Sequence, residues 1–151
     1  MFTFWHRWLQ IACAGLVLLG LDMAFFGTTI LFAPLNDPLN MHFFATTQVS
    51  PAVASYQAFT YGIIGALTAG WGLLACLVAR HAIARREAWA WYGLTMGLVL
   101  WYGVDSVLSA YHGAMANVIS NTLFAIPVVI PLVALRGHIF TTAPRVQGQA
   151  V

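Results

Sequence analysis

Four long apolar stretches follow one another along the chain, separated by short polar segments. They cover about residues 9–32, 51–79, 88–111 and 114–135. Each is at least as long as the roughly 20 residues that an α-helix needs to cross the hydrocarbon core of a membrane. The pattern therefore predicts an all-α integral membrane protein: a single four-helix bundle over residues 1–136, followed by a polar tail at 137–151.

Proline marks two of the predicted helix starts. Ser50-Pro51 precedes the second stretch, where serine can cap a helix and proline fits the first turn. Asn36 or Asp37 before Pro38 gives a similar signal in the first connection. A short helix at the membrane surface could begin there, and a loop without regular structure is the alternative. Four apolar residues would then lie in the membrane interface: Leu39, Met41, Phe43 and Phe44.

The fourth stretch contains two prolines, Pro127 and Pro131. Proline lacks a backbone N–H and clashes with the preceding helical turn, so each is expected to bend the helix. Each should also free a backbone carbonyl one turn earlier, and neighbouring groups can satisfy that carbonyl. The prolines therefore predict a bent helix with contacts to its exposed carbonyls.

Small residues recur at four-residue spacing in two stretches. Gly62, Ala66 and Gly70 lie along the second, and Gly93 and Gly97 along the third. Small side chains at this spacing allow helix backbones to approach closely in lipid. These five residues are predicted to form helix-packing faces, with packing inside the bundle as the first interpretation and self-association as the second.

Composition agrees with lipid as the solvent. Hydrophobic residues make up 61% of the chain and charged residues 7%, and the mean hydropathy is +0.82. Soluble domains have about 25% charged residues, so this chain could not cover a soluble surface with polar groups. A basic stripe with interleaved aromatics, typical of a nucleic-acid partner, is absent from the sequence.

The positive charges predict the orientation of the bundle. All six basic residues fall on one side of a four-span arrangement: Arg7, Arg80, Arg85, Arg86, Arg136 and Arg145. Arginine and lysine concentrate in cytoplasmic loops of membrane proteins. Both termini and the middle loop are therefore predicted to be cytoplasmic.

Two carboxylates lie inside the apolar stretches. Asp22 is in the first and Asp105 is in the third. Ionisable groups within membrane helices are costly, so they are candidate functional residues by default. Counting about 1.5 Å per helical residue places Asp22 near the middle of the membrane and Asp105 in its outer part.

The surroundings of Asp105 predict a polar cluster. Ser109 and His112 follow it by four and seven residues, so the three share one helical face. The tight turn at Gly113 makes the third and fourth helices antiparallel neighbours. Asp105 should then lie level with two amides of the fourth helix, Asn117 and Asn121. Two polar residues of the second helix could join from the same side, Gln57 and Thr60.

This cluster has three interpretations. Its groups could simply hydrogen-bond one another and tie the helices together, because a carboxylic acid without a basic partner tends to be protonated in lipid. They could instead line an outward-facing pocket for a small molecule, a lipid or an ion. A proton or cation path is the third alternative, although no ladder of polar residues continues to the cytoplasmic end.

Metal binding and catalysis have weaker support. Four side chains could reach the outer half of the bundle and suit several metals: His42, His112, Asp22 and Asp105. Their spacings match no ligand motif. Ser109 between Asp105 and His112 is more simply a polar helix end than a nucleophile. The sequence therefore predicts neither a metal site nor a catalytic residue.

Several segments resemble a group of small bacterial four-helix membrane proteins. The resemblance covers about residues 50–135 and includes Tyr61-Gly-Ile-Ile-Gly-Ala-Leu-Thr-Ala-Gly-Trp-Gly-Leu-Leu74, Arg86-Glu-Ala-Trp-Ala-Trp-Tyr92, Trp101-Tyr-Gly-Val-Asp-Ser-Val-Leu-Ser109, Gly113, Asn117, Asn121 and Pro131-Leu132. It implies a four-span fold and a bacterial cytoplasmic membrane. It implies no particular activity, substrate or catalytic residue.

Two functions are therefore compared. The first is a non-catalytic accessory or scaffold subunit that packs against a larger membrane complex or against itself. The second is a small-molecule, lipid or ion-binding or transport bundle with its pocket around Asp105. No cofactor is required by the sequence, although Trp71 and Trp101 could pack on a bound lipid, quinone or pigment. The expected partners are membrane lipid and other membrane subunits, with no nucleic acid.

Overall fold

The computed structural model describes residues 1–141, and within that range every regular element is helical. In chain order the α-helices are α1 (Phe2–Phe26), α2 (Ala33–Phe44), α3 (Pro51–Val78), α4 (Ala88–Tyr111) and α5 (Met115–Phe140). A 3-10 turn at Ile30–Phe32 precedes α2, and a π-helical turn at Ala79–Ile83 extends α3. Four of these helices are long and apolar enough to cross a membrane. The predicted all-α fold with four long apolar helices is confirmed.

The ends of the first and last helices differ from the prediction. α1 begins at Phe2 and stops at Phe26, before the apolar stretch itself ends. Gly27 closes the helix with a backbone bond to Met23 O, and a Cβ there would lie 2.9 Å from Cβ of Tyr61. α5 continues to Phe140, so the first residues of the segment predicted as a polar tail are helical. Residues 142–151 of that tail lie outside the described part of the chain.

The first connection contains a helix, α2, which starts earlier than its sequence signal suggested. Pro34, rather than Pro38, occupies the first turn, and Pro38 is inside the helix. Side-chain hydrogen bonds fix α2 across one end of the bundle. Asn36 donates to Gly27 O at 2.8 Å, and His42 Nε2 donates to His112 O at 2.8 Å.

α1 and α3 pack with their backbones in close approach. A Cβ at Gly20 would lie 2.6 Å from Gly65 O, and a Cβ at Gly65 would lie 2.5 Å from Gly20 O. Further along the pair, a Cβ at Gly72 would lie 2.8 Å from the amide nitrogen of Val17. Only glycine fits at these three positions. This antiparallel contact is the most extensive between any two helices within residues 1–141.

The packing stripe expected on α3 is not the one that faces α1. A Cβ at Gly70 would meet no atom within 4 Å, and Ala66 is exposed. A Cβ at Gly62 would only touch Ala24 O, at 3.9 Å. The predicted stripe is a neighbouring register of the same glycine-rich helix. The small residues that face α1 are Gly65, Ala69 and Gly72.

Of the two α4 glycines expected to pack, only one has a neighbour. A Cβ at Gly97 would lie 2.9 Å from the indole ring of Trp71, so this glycine makes room for a side chain of α3. A Cβ at Gly93 would meet nothing within 4 Å. Trp71 is thus the link between two helices whose backbones lie further apart than those of α1 and α3.

The prolines of α5 interrupt its hydrogen bonding without ending the helix. Pro131 has no N–H to offer to the carbonyl of Pro127, four residues earlier. The indole Nε1 of Trp8 donates to that carbonyl at 2.9 Å. The freed carbonyl thereby becomes a contact point between α5 and α1.

The main core lies at the end of the bundle that carries the arginines. It is formed by buried apolar side chains from α1, α3, the π-helical turn, α4 and α5, including Leu9, Cys13, Ile83, Ala90, Leu132 and Leu135. His6 Nε2 donates to Ala79 O at 2.8 Å, and the Arg86 guanidinium lies 4.9 Å from the Phe2 ring centroid. These contacts fix the N-terminus of α1 beside the turn between α3 and α4.

Candidate functional site

A tight turn between α4 and α5 positions the candidate site. Gly113 adopts φ +72°, a left-handed conformation that suits glycine, and α5 begins two residues later. A Cβ on Gly113 would also lie 2.8 Å from the His42 ring. The turn makes α4 and α5 antiparallel neighbours, so the last turns of α4 face the first turns of α5.

Asp105 is the acceptor at the centre of this hairpin. Its Oδ1 accepts hydrogen bonds from Asn117 Nδ2 at 2.7 Å, from Asn121 Nδ2 at 2.8 Å and from Ser109 Oγ at 3.0 Å. Asn117 Nδ2 also lies 2.9 Å from Ser109 Oγ. The structure thus brings four of the six sequence-predicted site residues together. We refer to these four side chains as the Asp105 cluster.

The Asp105 cluster combines buried donors with a partly accessible acceptor. Ser109 and Asn121 are 9% and 7% exposed, whereas Asp105 and Asn117 are half-buried. Two amides and a hydroxyl direct the partial positive charge of their donated hydrogens at one carboxylate oxygen. Within residues 1–141, Asp105 Oδ2 has no recorded hydrogen bond. The cluster can therefore tie α4 to α5 and still offer one oxygen.

Three other polar residues that were expected near Asp105 do not join the Asp105 cluster. The His112 side chain is exposed, and its backbone carbonyl instead receives His42. Gln57 Nε2 donates to Asn40 Oδ1 at 2.6 Å, and Thr60 Oγ1 bonds Tyr56 O on its own helix. Gln57 and Thr60, which were expected beside Asp105, therefore bond α2 and their own helix instead.

Asp22 lies away from the cluster, near one end of its helix. α1 ends at Phe26, so Asp22 is four residues from the helix end, about 6 Å, rather than at its middle. The residue is exposed, and its neighbours on the outside of α1 are apolar, including Leu18, Leu21 and Phe25. Among residues 1–141 no hydrogen bond or ion pair to Asp22 is found.

Sequence reasoning missed several contacts that shape the site region. Tyr102 and Thr122 hydrogen-bond through their hydroxyls at 2.9 Å, one turn further into the α4–α5 contact. Tyr102 lies three residues before Asp105 on the same face of α4, so its signal was available, whereas Thr122 directly follows Asn121 and lies on a different face of α5. The oxygens of Thr95 and Ser106 on α4 are buried without a hydrogen-bond partner in the described residues.

Two structural features bear on metal and cofactor binding. In the described part of the chain, no three His, Cys, Asp or Glu side chains gather as a metal site would require. A shallow apolar groove of about 250 Å³ runs between α4 and α5, lined by Leu98, Val99, Tyr102, Thr122, Ile126 and Val129 among others. Such a groove suits an acyl chain or another apolar tail.

No known protein family, curated protein or solved structure matches the chain. The resemblance to small bacterial four-helix membrane proteins therefore stays an expectation. Function has to be inferred from the side chains of this chain and their surroundings.

Proposed function

We propose that this chain is a non-catalytic integral membrane protein that works by association, either as an accessory or scaffold subunit of a larger complex or with copies of itself. Its four long apolar helices would span a bacterial cytoplasmic membrane, with both termini and the turn before α4 in the cytoplasm. The polar groups of the Asp105 cluster bond one another, which supports a structural role for them.

Asp22 is the observation that carries this proposal. A carboxyl group that faces lipid is unfavourable, by about 2.5–3.5 kcal/mol at the membrane centre and by less towards a helix end, where Asp22 lies. Asp22 is exposed among apolar side chains, and the described chain offers it no partner. Contact with another membrane subunit would shield the carboxyl group and supply a hydrogen bond.

The orientation gives a direct test of membrane insertion. Gln48 lies between α2 and α3, and Arg85 lies between α3 and α4. In a chain with Cys13→Ala and Cys76→Ala, we expect a membrane-impermeant maleimide to label Gln48→Cys in intact cells but not Arg85→Cys. Lysed cells, in which both variants should react, are the control. Labelling of Arg85→Cys alone in intact cells would contradict the proposed orientation.

Association is tested by co-purification from mild detergent. A tagged copy of the chain is expected to retain an untagged copy, or other membrane proteins at fixed stoichiometry, through gel filtration. Mixing separately solubilised copies is the control for association after extraction. A lone chain in every mild detergent would contradict the proposed function.

A second function is favoured by one observation, the available Oδ2 of half-buried Asp105. A pocket that binds a small molecule, a lipid or an ion could use that oxygen while the cluster holds Oδ1. Recovery of the purified chain as a monomer with a bound ligand, which is lost in Asp105→Asn, would favour this function over association.

A further inference from the structure

We propose that an anionic phospholipid binds in a groove between α1 and α5, with its phosphate group at Arg7 and one acyl chain along the groove. The groove has a volume of about 640 Å³, and its lining includes Thr3, Arg7, Trp8, Ile11 and Pro127. We call it the α1–α5 groove. The proposal rests on the membrane insertion and orientation proposed above, and it does not depend on association with another protein.

The α1–α5 groove changes from polar to apolar along α1. Thr3 and Arg7 line the end nearest the start of the helix, and Ile11 and Ala12 line the end nearer its middle. Arg7 and Ile11 are four residues apart, or about 6 Å along the helix. In the proposed orientation the polar end faces the cytoplasmic membrane surface and the apolar end faces the hydrocarbon core. A phospholipid of that leaflet presents its head group and its acyl chains in the same order.

Arg7 supplies a positive charge that the described chain does not neutralise. Its side chain is exposed, and within residues 1–141 no carboxylate lies within ion-pair distance of it. Glu87, the acidic residue in the turn at this end of the bundle, pairs with Arg85 at 3.7 Å. A guanidinium group can donate two parallel hydrogen bonds to one phosphate. The phosphate of a lipid therefore complements Arg7 in both charge and geometry.

The surroundings of Arg7 favour a lipid with a net negative charge over a zwitterionic lipid. Four more arginines lie at the same end of the bundle, in the turn before α4 and in the last turns of α5: Arg80, Arg85, Arg86 and Arg136. Arginines at the cytoplasmic surface of a membrane attract anionic lipids. A choline head group would bring a further positive charge to this basic surface, so the phosphate of an anionic lipid should bind more tightly.

The apolar part of the α1–α5 groove has a fixed aromatic wall. The indole Nε1 of Trp8 donates to the carbonyl of Pro127 at 2.9 Å, which holds the ring in one orientation. The Phe4 ring packs edge-on against it, with 5.9 Å between the ring centroids. A preformed wall reduces the ordering that binding requires. The acyl chain can therefore lie against rings that are already in place.

Native mass spectrometry of the purified full chain tests this site. The chain is equilibrated in micelles that contain equal amounts of phosphatidylglycerol and phosphatidylcholine with the same acyl chains. We expect one phosphatidylglycerol per chain to be retained, several-fold more often than phosphatidylcholine. Arg7→Gln should lower this retention several-fold. Arg136→Gln is the matched control and should retain the lipid, because Arg136 is exposed at the same end of the bundle but does not line the groove.

Two results of this experiment would overturn the proposal. Equal retention of the two lipids would show that the groove does not select an anionic head group. Equal losses in Arg7→Gln and Arg136→Gln would show that the basic end of the bundle attracts lipid without a site at Arg7.

A second pair of variants tests the apolar half of the groove at constant charge. Ile11→Trp places a larger side chain in the groove and should lower the retention of phosphatidylglycerol several-fold. Leu18→Trp is the control, because Leu18 is a 64% exposed residue of the same helix outside the groove, so its retention should be unchanged. Excess inorganic phosphate should not displace the lipid, since a phosphate ion leaves the apolar half empty. Displacement by phosphate would indicate a simple anion site and would overturn the proposed lipid.

Failure of the lipid site and failure of the proposed function give different results. A chain that assembles with other subunits but retains no phosphatidylglycerol would overturn the lipid site and leave association in place. Cross-linking of Ile11→Cys to another protein, in a chain with Cys13→Ala and Cys76→Ala, would place a protein in the groove and do the same. A monomeric chain that retains phosphatidylglycerol only when Arg7 is present would support the lipid site and contradict association.

Discussion

Gly65→Ala is expected to lower the free energy of unfolding by about 3 kcal/mol, at the upper end of the range for overpacking. The added Cβ would lie 2.5 Å from Gly20 O and 2.8 Å from Cα of Ala24. Both obstacles are backbone atoms of α1, so neither can move aside by changing a rotamer. The two helices would have to separate along their most extensive contact. Reversible unfolding in mixed micelles, followed by circular dichroism, measures the effect.

Gly70→Ala is the matched control on the same helix. Both substitutions replace a helical glycine by alanine and gain the same helix propensity, up to about 1 kcal/mol. A Cβ at Gly70 meets nothing within 4 Å, so this variant should be as stable as the original chain or slightly more stable. Equal stability of the two variants would show that α1 and α3 do not pack as described.

Asp105→Leu is expected to destabilise the α4–α5 hairpin by about 2 kcal/mol. The substitution removes the acceptor of three side-chain hydrogen bonds, and such bonds within membranes average about 0.6 kcal/mol each. Asp105→Asn preserves an oxygen in the position of Oδ1, so its loss should stay below about 1 kcal/mol. The midpoint of thermal unfolding in detergent ranks the two variants.

Ser120→Ala controls for the removal of a polar group near the Asp105 cluster. Among residues 1–141, Ser120 Oγ bonds only Ala116 O on its own helix, so its loss should change stability little. If Asp105→Asn destabilised the chain as strongly as Asp105→Leu, hydrogen bonding alone would not explain the cluster. A charged Asp105 with a bound cation would then be favoured over the structural interpretation.

Helix identity was readable from the sequence, and some helix ends were not. α4 occupies Ala88–Tyr111, the predicted range, because charged and glycine-containing turns bound it on both sides. α1 ends six residues before its apolar stretch does, since Gly27 must pass close to Tyr61. Hydropathy reports the solvent that a residue prefers and carries no information about a contact of this kind.

The Asp105 cluster was readable because its members are local. Asp105 and Ser109 are one turn apart, and the turn at Gly113 brings α5 alongside, so periodicity alone placed Asn117 and Asn121 nearby. The hydrogen bond of Gln57 could not be predicted from helical periodicity, because its partner Asn40 belongs to α2, in the long first connection. The position of Asp22 along α1 depended on where the helix ends, and the residue lies closer to that end than the predicted span implied.

The packing of α1 on α3 shows a different limit. α3 carries small residues in two overlapping registers, one through Gly62 and Gly70 and one through Gly65 and Gly72. Spacing cannot choose between them, since both would permit close approach. The choice follows from α1, where Gly20 and Ala24 are also four residues apart and meet Gly65. Reading both helices together would have favoured the observed register.

The mass of the particle extracted in its native lipid tests association most directly. Membranes are dissolved into polymer-bounded lipid discs without detergent, and the released complexes are weighed by native mass spectrometry. The expected result is a complex that contains two copies of the chain, or one copy with other subunits at fixed stoichiometry. A single copy accompanied only by lipid, at native expression level, would contradict the proposal that this protein works by association.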